Sequence, residues 1–220
     1  ADPASTALGR VLGLRRLRDL PTVLEEGEVR LDGVLIRRLR WSVGYGPDTR
    51  AWLLRPAGVR RSLPGILGMH CHGGVRSVGA EQLVDLGADS SPRAVWLRDA
   101  YYSGRAPANE LARQGCAVLV HDTFSWASRR FDLSRPTPRL AGLLEAHSAL
   151  WREQGIRPTE DERFDLASAL HEDTLAKAAG ALGQTFAGAV LYDDLAALSV
   201  LAAERGTDPG HDPNRGIDQQ

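Results

Sequence analysis

Apolar residues recur at helical spacing between residues 7 and 20, at Leu8, Val11, Leu12, Leu14 and Leu17, with arginines between them. The spacing predicts an amphipathic helix packed on a neighbour, with Arg15, Arg16 and Arg18 on its solvated face. From Val29 onward the pattern shortens. The runs "VLIRRLRWSV" and "TRAWLLRPA" are strand-like, and the "GYGPD" between them supplies Gly44, Gly46, Pro47 and Asp48 as turn residues. Together they predict an antiparallel hairpin. Pro56 and Pro64 bracket a loop. The nearly all-apolar "GILGMHC" predicts a strand buried on both faces. A helix follows over residues 106–114, closed by Gly115, and then a second buried strand, "CAVLVHDT". Strand, crossover helix and strand, with both strands apolar, imply a parallel, right-handed unit in an α/β protein.

Residues 123–162 are rich in Arg, Pro and Ser, which predicts a long irregular insertion over one face. Helical periodicity returns over residues 163–204, as two helices split near Gly180 or Gly183. Leu191, Leu195, Leu198 and Leu201 mark the second helix and Gly206 its end. The tail "GTDPGHDPNRGIDQQ" is turn-rich, and the chain has no repeats.

Composition narrows the function classes. The chain has 220 residues and a formal net charge of -1. Near-neutral charge argues against a nucleic acid or an anionic membrane held by bulk electrostatics. Lys177 is the single lysine, a bias toward arginine that reflects composition, not binding. No run of 18 or more wholly apolar residues occurs, and the N-terminus lacks the apolar core of a signal peptide. Cys71 and Cys116 have no CxxC spacing, so two reduced, buried thiols of a cytoplasmic protein are expected.

The chemistry concentrates in "LPGILGMHCHGG", residues 63–74, where an apolar run ends in two histidines, a cysteine and two glycines. His70 and His72, at i and i+2 on a strand, would share a face, as zinc ligands do, but a mononuclear site needs a third ligand. His121, His147 and His171 stand at no ligand spacing to the pair. Alternatively, glycines at the carboxyl end of a buried strand let backbone N–H groups face a ligand, such as the oxyanion of acyl transfer.

This stretch resembles the oxyanion loop of α/β-hydrolases, and more narrowly the HxHGG loop of the bacterial dienelactone-hydrolase and acetyl-xylan-esterase-like group. Two further segments resemble the same group in family order. "YYSGRAPANELARQGCAVLVHDTFSWASRRF" is similar to its next helix, strand and aspartate-bearing loop, and "HEDTLAKAAGALGQTFAGAVLYDDLAALSVLAAERGTDP" to the helix before its nucleophile. The resemblance implies that His70 props the loop, that the His72 backbone N–H donates to the oxyanion, and that Gly73 and Gly74 continue the turn. Cys71 stands where many members have glycine. Phe124 and Trp126 would wall a substrate pocket or anchor the loop, and Asp122 would anchor the segment after its strand. No cofactor is implied.

The family next requires a strand ending in a G-x-S-x-G elbow, and no such motif occurs here. Ser103, Ser125 and Ser128 have no histidine at a predictable position and are expected as surface or cap residues. Asp193 and Asp194 are adjacent and fall on different helix faces. His171, Glu172 and Asp173 are expected at a polar helix start or surface turn. The expected architecture is therefore an incomplete α/β-hydrolase fold. It has a helical extension over residues 1–28, then over 29–220 a hairpin, two parallel strands and flanking helices, with the nucleophile strand and all beyond it absent. The expected function is the N-terminal portion of a serine carboxylesterase or lactonase acting on a small ester or lactone. The alternatives are a non-catalytic or partner-binding remnant of the same fold and a metal-dependent hydrolase using His70 and His72. An uncovered strand edge would favour self-association.

Overall fold

The computed structural model describes residues 3–15, 17, 19–204 and 207–208. Its first helix, α1 (Pro3–Val11), is shorter than the apolar spacing predicts. Gly13 ends it at φ 63°, with the Leu14 N–H on the Gly9 carbonyl at 2.8 Å and the Gly13 N–H on that of Arg10 at 3.1 Å. This is a glycine stop inside a periodic run. Arg16, Arg18 and Gly206 lie outside the described residues.

Six strands form one sheet: β1 (Leu24–Leu31), β2 (Val34–Trp41), β3 (Thr49–Pro56), β4 (Leu63–Gly68), β5 (Ala117–His121) and β6 (Thr207–Asp208), in the order β1-β2-β3-β5-β4-β6. The expected hairpin is β2 and β3, antiparallel from Val34 opposite Pro56 to Trp41 opposite Thr49. β1 has no counterpart in the apolar pattern, because LEEGEVRL is an exposed, charged edge strand and runs across residue 28. Its Glu26 reaches Arg40 on β2 at 2.6 Å, and its Glu25 pairs with Arg37.

β4 and β5 are parallel, with Ile66 opposite Val118. The crossover between them carries α2 (Pro92–Tyr101) and the expected α3 (Pro107–Arg113), which closes at Gly115, φ 99°. β5 is buried throughout, whereas β4 is buried only at Leu63 and half-buried from Gly65 to Gly68. The expectation of a strand buried on both faces is corrected here: β4 lies next to the sheet's end and two of its six residues are glycine. Beyond Leu63 and Pro64, which pair with β6, its outer edge has no strand partner among the described residues.

Alternation along the strands builds two core layers. Val34, Ile36, Trp52, Leu54, Val118 and Val120 meet Ala108 and Ala112 of α3 on one face. Leu39, Trp41, Ala51, Leu53 and Leu119 meet Ala196, Ala197, Val200 and Leu201 of α6 (Phe186–Ala203) on the other. By length and composition α6 is apolar enough to cross a membrane, yet this stripe packs on the sheet. Small residues line the stripe, while Leu198 is 47% exposed.

The segment expected as irregular contains α4 (Pro138–Glu153), started by Pro138 at its first position and by the Thr137 side chain accepting the Leu140 N–H. Only Leu140 of α4 is buried, so its apolar pattern is weak. α5 (Glu160–Ala181) opens with a capping box between Thr159 and Glu162 and is separated from α6 at Gly183, φ 72°, as expected.

One buried ion pair ties three of these parts together. Asp193 of α6 and Arg129, after β5, are 1% and 2% exposed. Arg129 Nε donates to Asp193 Oδ2 at 3.0 Å, the Tyr45 hydroxyl donates to Oδ1 at 3.0 Å, and Arg129 Nη1 donates to the Tyr45 carbonyl at 2.8 Å. Truncating Asp193 to alanine strands a guanidinium in the interior and is expected to cost about 3–5 kcal/mol in urea unfolding. The exposed Lys177–Asp173 pair is the contrast, and Lys177→Ala is expected to cause no measurable loss.

Candidate active site

β4 must end on glycine, because a Cβ at Gly68 would lie 2.7 Å from Val120 Cγ1 of the neighbouring strand. His70, Cys71, His72, Gly73 and Gly74 then leave the carboxyl end of β4 as a loop. They lie outside the strand in which the apolar run would place His70 and Cys71. Gly73 and Gly74 take φ of 57° and 67°, the left-handed region that favours glycine. Cys71 is not among the positive-φ residues, so its side chain is tolerated there. It is exposed, not buried as expected.

The two histidines face one indole. The rings of His70 and His72 lie 5.5 and 5.1 Å from Trp126, both edge-to-face. Trp126 is 4% exposed, and its Nε1–H donates to the Val75 carbonyl at 2.9 Å, so it is the packed floor of the loop. His70 Nδ1 is 3.1 Å from the Cys71 carbonyl and the Thr123 N–H approaches Nε2 at 3.5 Å, which assigns the proton to Nδ1. The Gly74 N–H donates to His72 Nδ1 at 3.1 Å, which leaves the proton on Nε2, 3.3 Å from Glu172 Oε2. The two rings thus serve separate hydrogen-bond partners. Among the described residues no group of three or more His, Cys, Asp or Glu side chains is arranged to hold a metal ion.

Two residues that sequence reasoning missed complete the site. Arg76 is 2% exposed, and its guanidinium lies 3.9 Å over Trp126 and 5.3 Å from Phe186. It binds the Ser125 hydroxyl and the Glu172 carboxylate, and lies 3.2 Å from His72 Nε2. Burial pushes the Glu172 carboxyl up, but Arg76 and His72 outweigh it and hold the group below its ordinary range. Glu172 sits in the middle of α5, as do His171 and Asp173, not at the expected helix start. Asp165, one heptad earlier, takes the Arg76 and Ser77 N–H groups on Oδ1 at 2.8 and 2.7 Å.

The other expected residues take supporting places. Asp122 accepts the Ala80 N–H at 2.9 Å and the Ser128 N–H at 3.1 Å, stitching the two loops beyond β4 and β5. Gly79 is required beside it, since a Cβ would lie 2.3 Å from Asp122 Oδ1. Phe124 is half-buried among the rings of Tyr45, Phe131 and Phe186. Ser125 is buried at φ 73° against Arg76, and Ser128 accepts the Arg50 N–H at 2.9 Å. Asp193 and Asp194 serve separate partners, Arg129 and His121. Beneath the loop, Gln82 Nε2 donates to the Cys71 carbonyl at 3.4 Å, and its Oε1 receives the Cys71 thiol at 3.5 Å and the Tyr102 hydroxyl at 3.3 Å. A cavity of about 1060 Å³ opens beyond Gly79 and Asp122, with Trp52, Phe131, Trp151 and Phe164 in its walls and none of residues 70–74.

The backbone of the loop is what could act chemically. Among the described residues, neither the His72 nor the Gly73 N–H donates a hydrogen bond, although the next N–H, of Gly74, is engaged. Two consecutive free donors on a braced turn at the end of a parallel strand can receive a developing negative charge.

No family model and no curated protein matches the sequence. Among solved structures, a candidate acetyl xylan esterase from Bacteroides fragilis superposes with a TM-score of 0.58 at 14% identity, over 92% of this chain and 42% of that one. An acetyl xylan esterase from Paenibacillus sp. R4 gives 0.29 at 18% identity, over 56% and 30% of the two chains. A glucuronoyl esterase from Solibacter usitatus gives 0.39 at 12% identity, over 73% and 48%. The first of these carries the comparison: the chain has an α/β-hydrolase-like fold and spans about two-fifths of that structure's length.

Burial lowers the His70 imidazole from its ordinary 6.5, against the opposing pull of the Cys71 carbonyl and Asp122. The folded ring therefore binds its proton more weakly than the unfolded one. The stability held while both are neutral, above about pH 6.5, is lost as pH falls from there through the native value. Between about pH 7 and pH 5 the unfolding free energy is expected to fall more steeply in the wild type than in His70→Gln. Equal slopes in urea unfolding would contradict this assignment.

Proposed function

We propose that this chain carries the oxyanion loop and one pocket wall of a serine carboxylesterase or lactonase of the dienelactone-hydrolase and acetyl-xylan-esterase-like group, and that nucleophile, base and acid come from residues other than these 220. The observation that supports this reading is the pair of free N–H groups at His72 and Gly73, on a turn braced at the carboxyl end of β4.

In such an enzyme a serine Oγ attacks the carbonyl carbon of a small ester or lactone, and the carbonyl oxygen takes the negative charge. The His72 N–H and the N–H of the residue after the serine hold that oxygen. Gly73 and Gly74 let the backbone approach the substrate, His70 props the loop against Thr123, and no cofactor is needed. Phe124 is assigned to the substrate side of the loop after β5, within its ring cluster of Tyr45, Phe131 and Phe186, and Trp126 supports the loop from below.

Two measurements test the proposal. A fluorophosphonate probe is expected to label no serine of these 220 residues, because Ser125 and Ser128 are committed to Arg76 and to the Arg50 N–H. Stoichiometric labelling of one of them would overturn the assignment of the nucleophile elsewhere. In the esterase that contains this loop, assayed with p-nitrophenyl acetate, His72→Pro deletes the donor and is expected to lower kcat about 10²–10³-fold. Undiminished turnover would remove the oxyanion role.

A further inference from the structure

α5 touches the loop at two heights. Asp165 and Glu172 are seven residues apart and so share a face of the helix. Asp165 holds the backbone of Arg76 and Ser77, and Glu172 holds the side chains of Arg76 and His72. The contact to His72 spans 100 positions of sequence.

His72 needs that contact for a reason of proton count. A neutral imidazole has one N–H and one acceptor nitrogen. Nδ1 must be the acceptor, because it faces the Gly74 N–H at 3.1 Å. Nε2 then carries the proton, and the acceptor the protein places beside it is Glu172 Oε2. The other group beside Nε2 is Arg76 Nη2, at 3.2 Å, which can only donate. Glu172 Oε2 accepts from both Nε2–H and Arg76 Nη2, and without it these two neighbouring donors would share no acceptor. The ring would relieve this by moving its proton to Nδ1 and accepting from Arg76. Nδ1–H would then oppose the Gly74 N–H, and the turn would lose its brace.

We propose that Glu172 is a positioning residue of the oxyanion loop: it fixes the tautomer of His72, and through the His72–Gly74 hydrogen bond it fixes the turn that presents the free N–H groups. The role rests on the oxyanion reading of residues 70–74. It makes the seating of α5 a condition of the loop's geometry, although α5 contributes no group to the reacting atoms.

The test reads the His72 ring itself, by ¹⁵N NMR of the imidazole nitrogens in this chain at about pH 8, where an ordinary imidazole is neutral. The wild type is expected to show the Nε2–H tautomer. Glu172→Gln, which keeps an acceptor oxygen, should retain it. Glu172→Ala and Glu172→Met, which remove the acceptor, should switch His72 to Nδ1–H and shift the Gly74 amide resonance. The methionine variant keeps the side-chain stem and guards against loss of folding in the alanine one. Asp165→Asn should leave the tautomer unchanged. An Nε2–H tautomer that survives in both the alanine and methionine variants, or that is lost equally in the glutamine variant, would overturn the proposal. Because no substrate enters this measurement, its failure would leave the His72→Pro test of the oxyanion role untouched, and failure there would leave the tautomer result standing.

Discussion

The guanidinium of Arg76 lies in the interior, stacked on Trp126 and bound to Glu172 and Ser125. A charge in that position is tolerated only where its partners are in place, since an unpaired buried ion costs several kcal/mol. Three segments distant in sequence must therefore meet in one arrangement: the loop after β4, the loop after β5 and the middle of α5. Residues 70–74, with two glycines, have little stiffness of their own. Their geometry is borrowed from what Arg76, His72 and Trp126 are fastened to.

The same logic extends around the carboxyl end of the sheet. Asp122 bonds to backbone N–H groups of both loops, and Gly79 is small enough to let it in. His70 reaches Thr123, and Gln82 and Tyr102 hold Cys71 from beneath. The side chains and the Cys71 carbonyl of the loop have partners, while among the described residues the His72 and Gly73 N–H groups donate no hydrogen bond. Charge stabilisation in acyl transfer needs donors fixed in advance, because reorientation during the reaction would consume their benefit.

Much of this was legible in the residues, for physical reasons that differ by element. The hairpin, the β4–β5 pair, α3 and the α5–α6 break all carry strong period signals or glycine stops. β1 and α4 were hidden because each is largely exposed and so shows no apolar stripe. The early end of α1 hung on Gly13 alone. At the site, His70, His72 and the glycines stand in one short motif and were found as such. Arg76 and Glu172 lie 96 positions apart, and nothing local marks an arginine that will be buried or a glutamate that will meet it. The one signal available was the heptad spacing of Asp165 and Glu172 on a helix that otherwise presents charge on many sides.

Residue-resolved amide hydrogen exchange tests the central claim most directly, because the account assigns opposite states to adjacent backbone groups. It predicts that the His72 and Gly73 amides exchange at nearly the rates of an unstructured chain while the Gly74 amide, bonded to the His72 ring, is protected. A His72 amide as well protected as that of Gly74 would mean that the donor is already spent inside the protein, and the loop could not serve as an oxyanion hole.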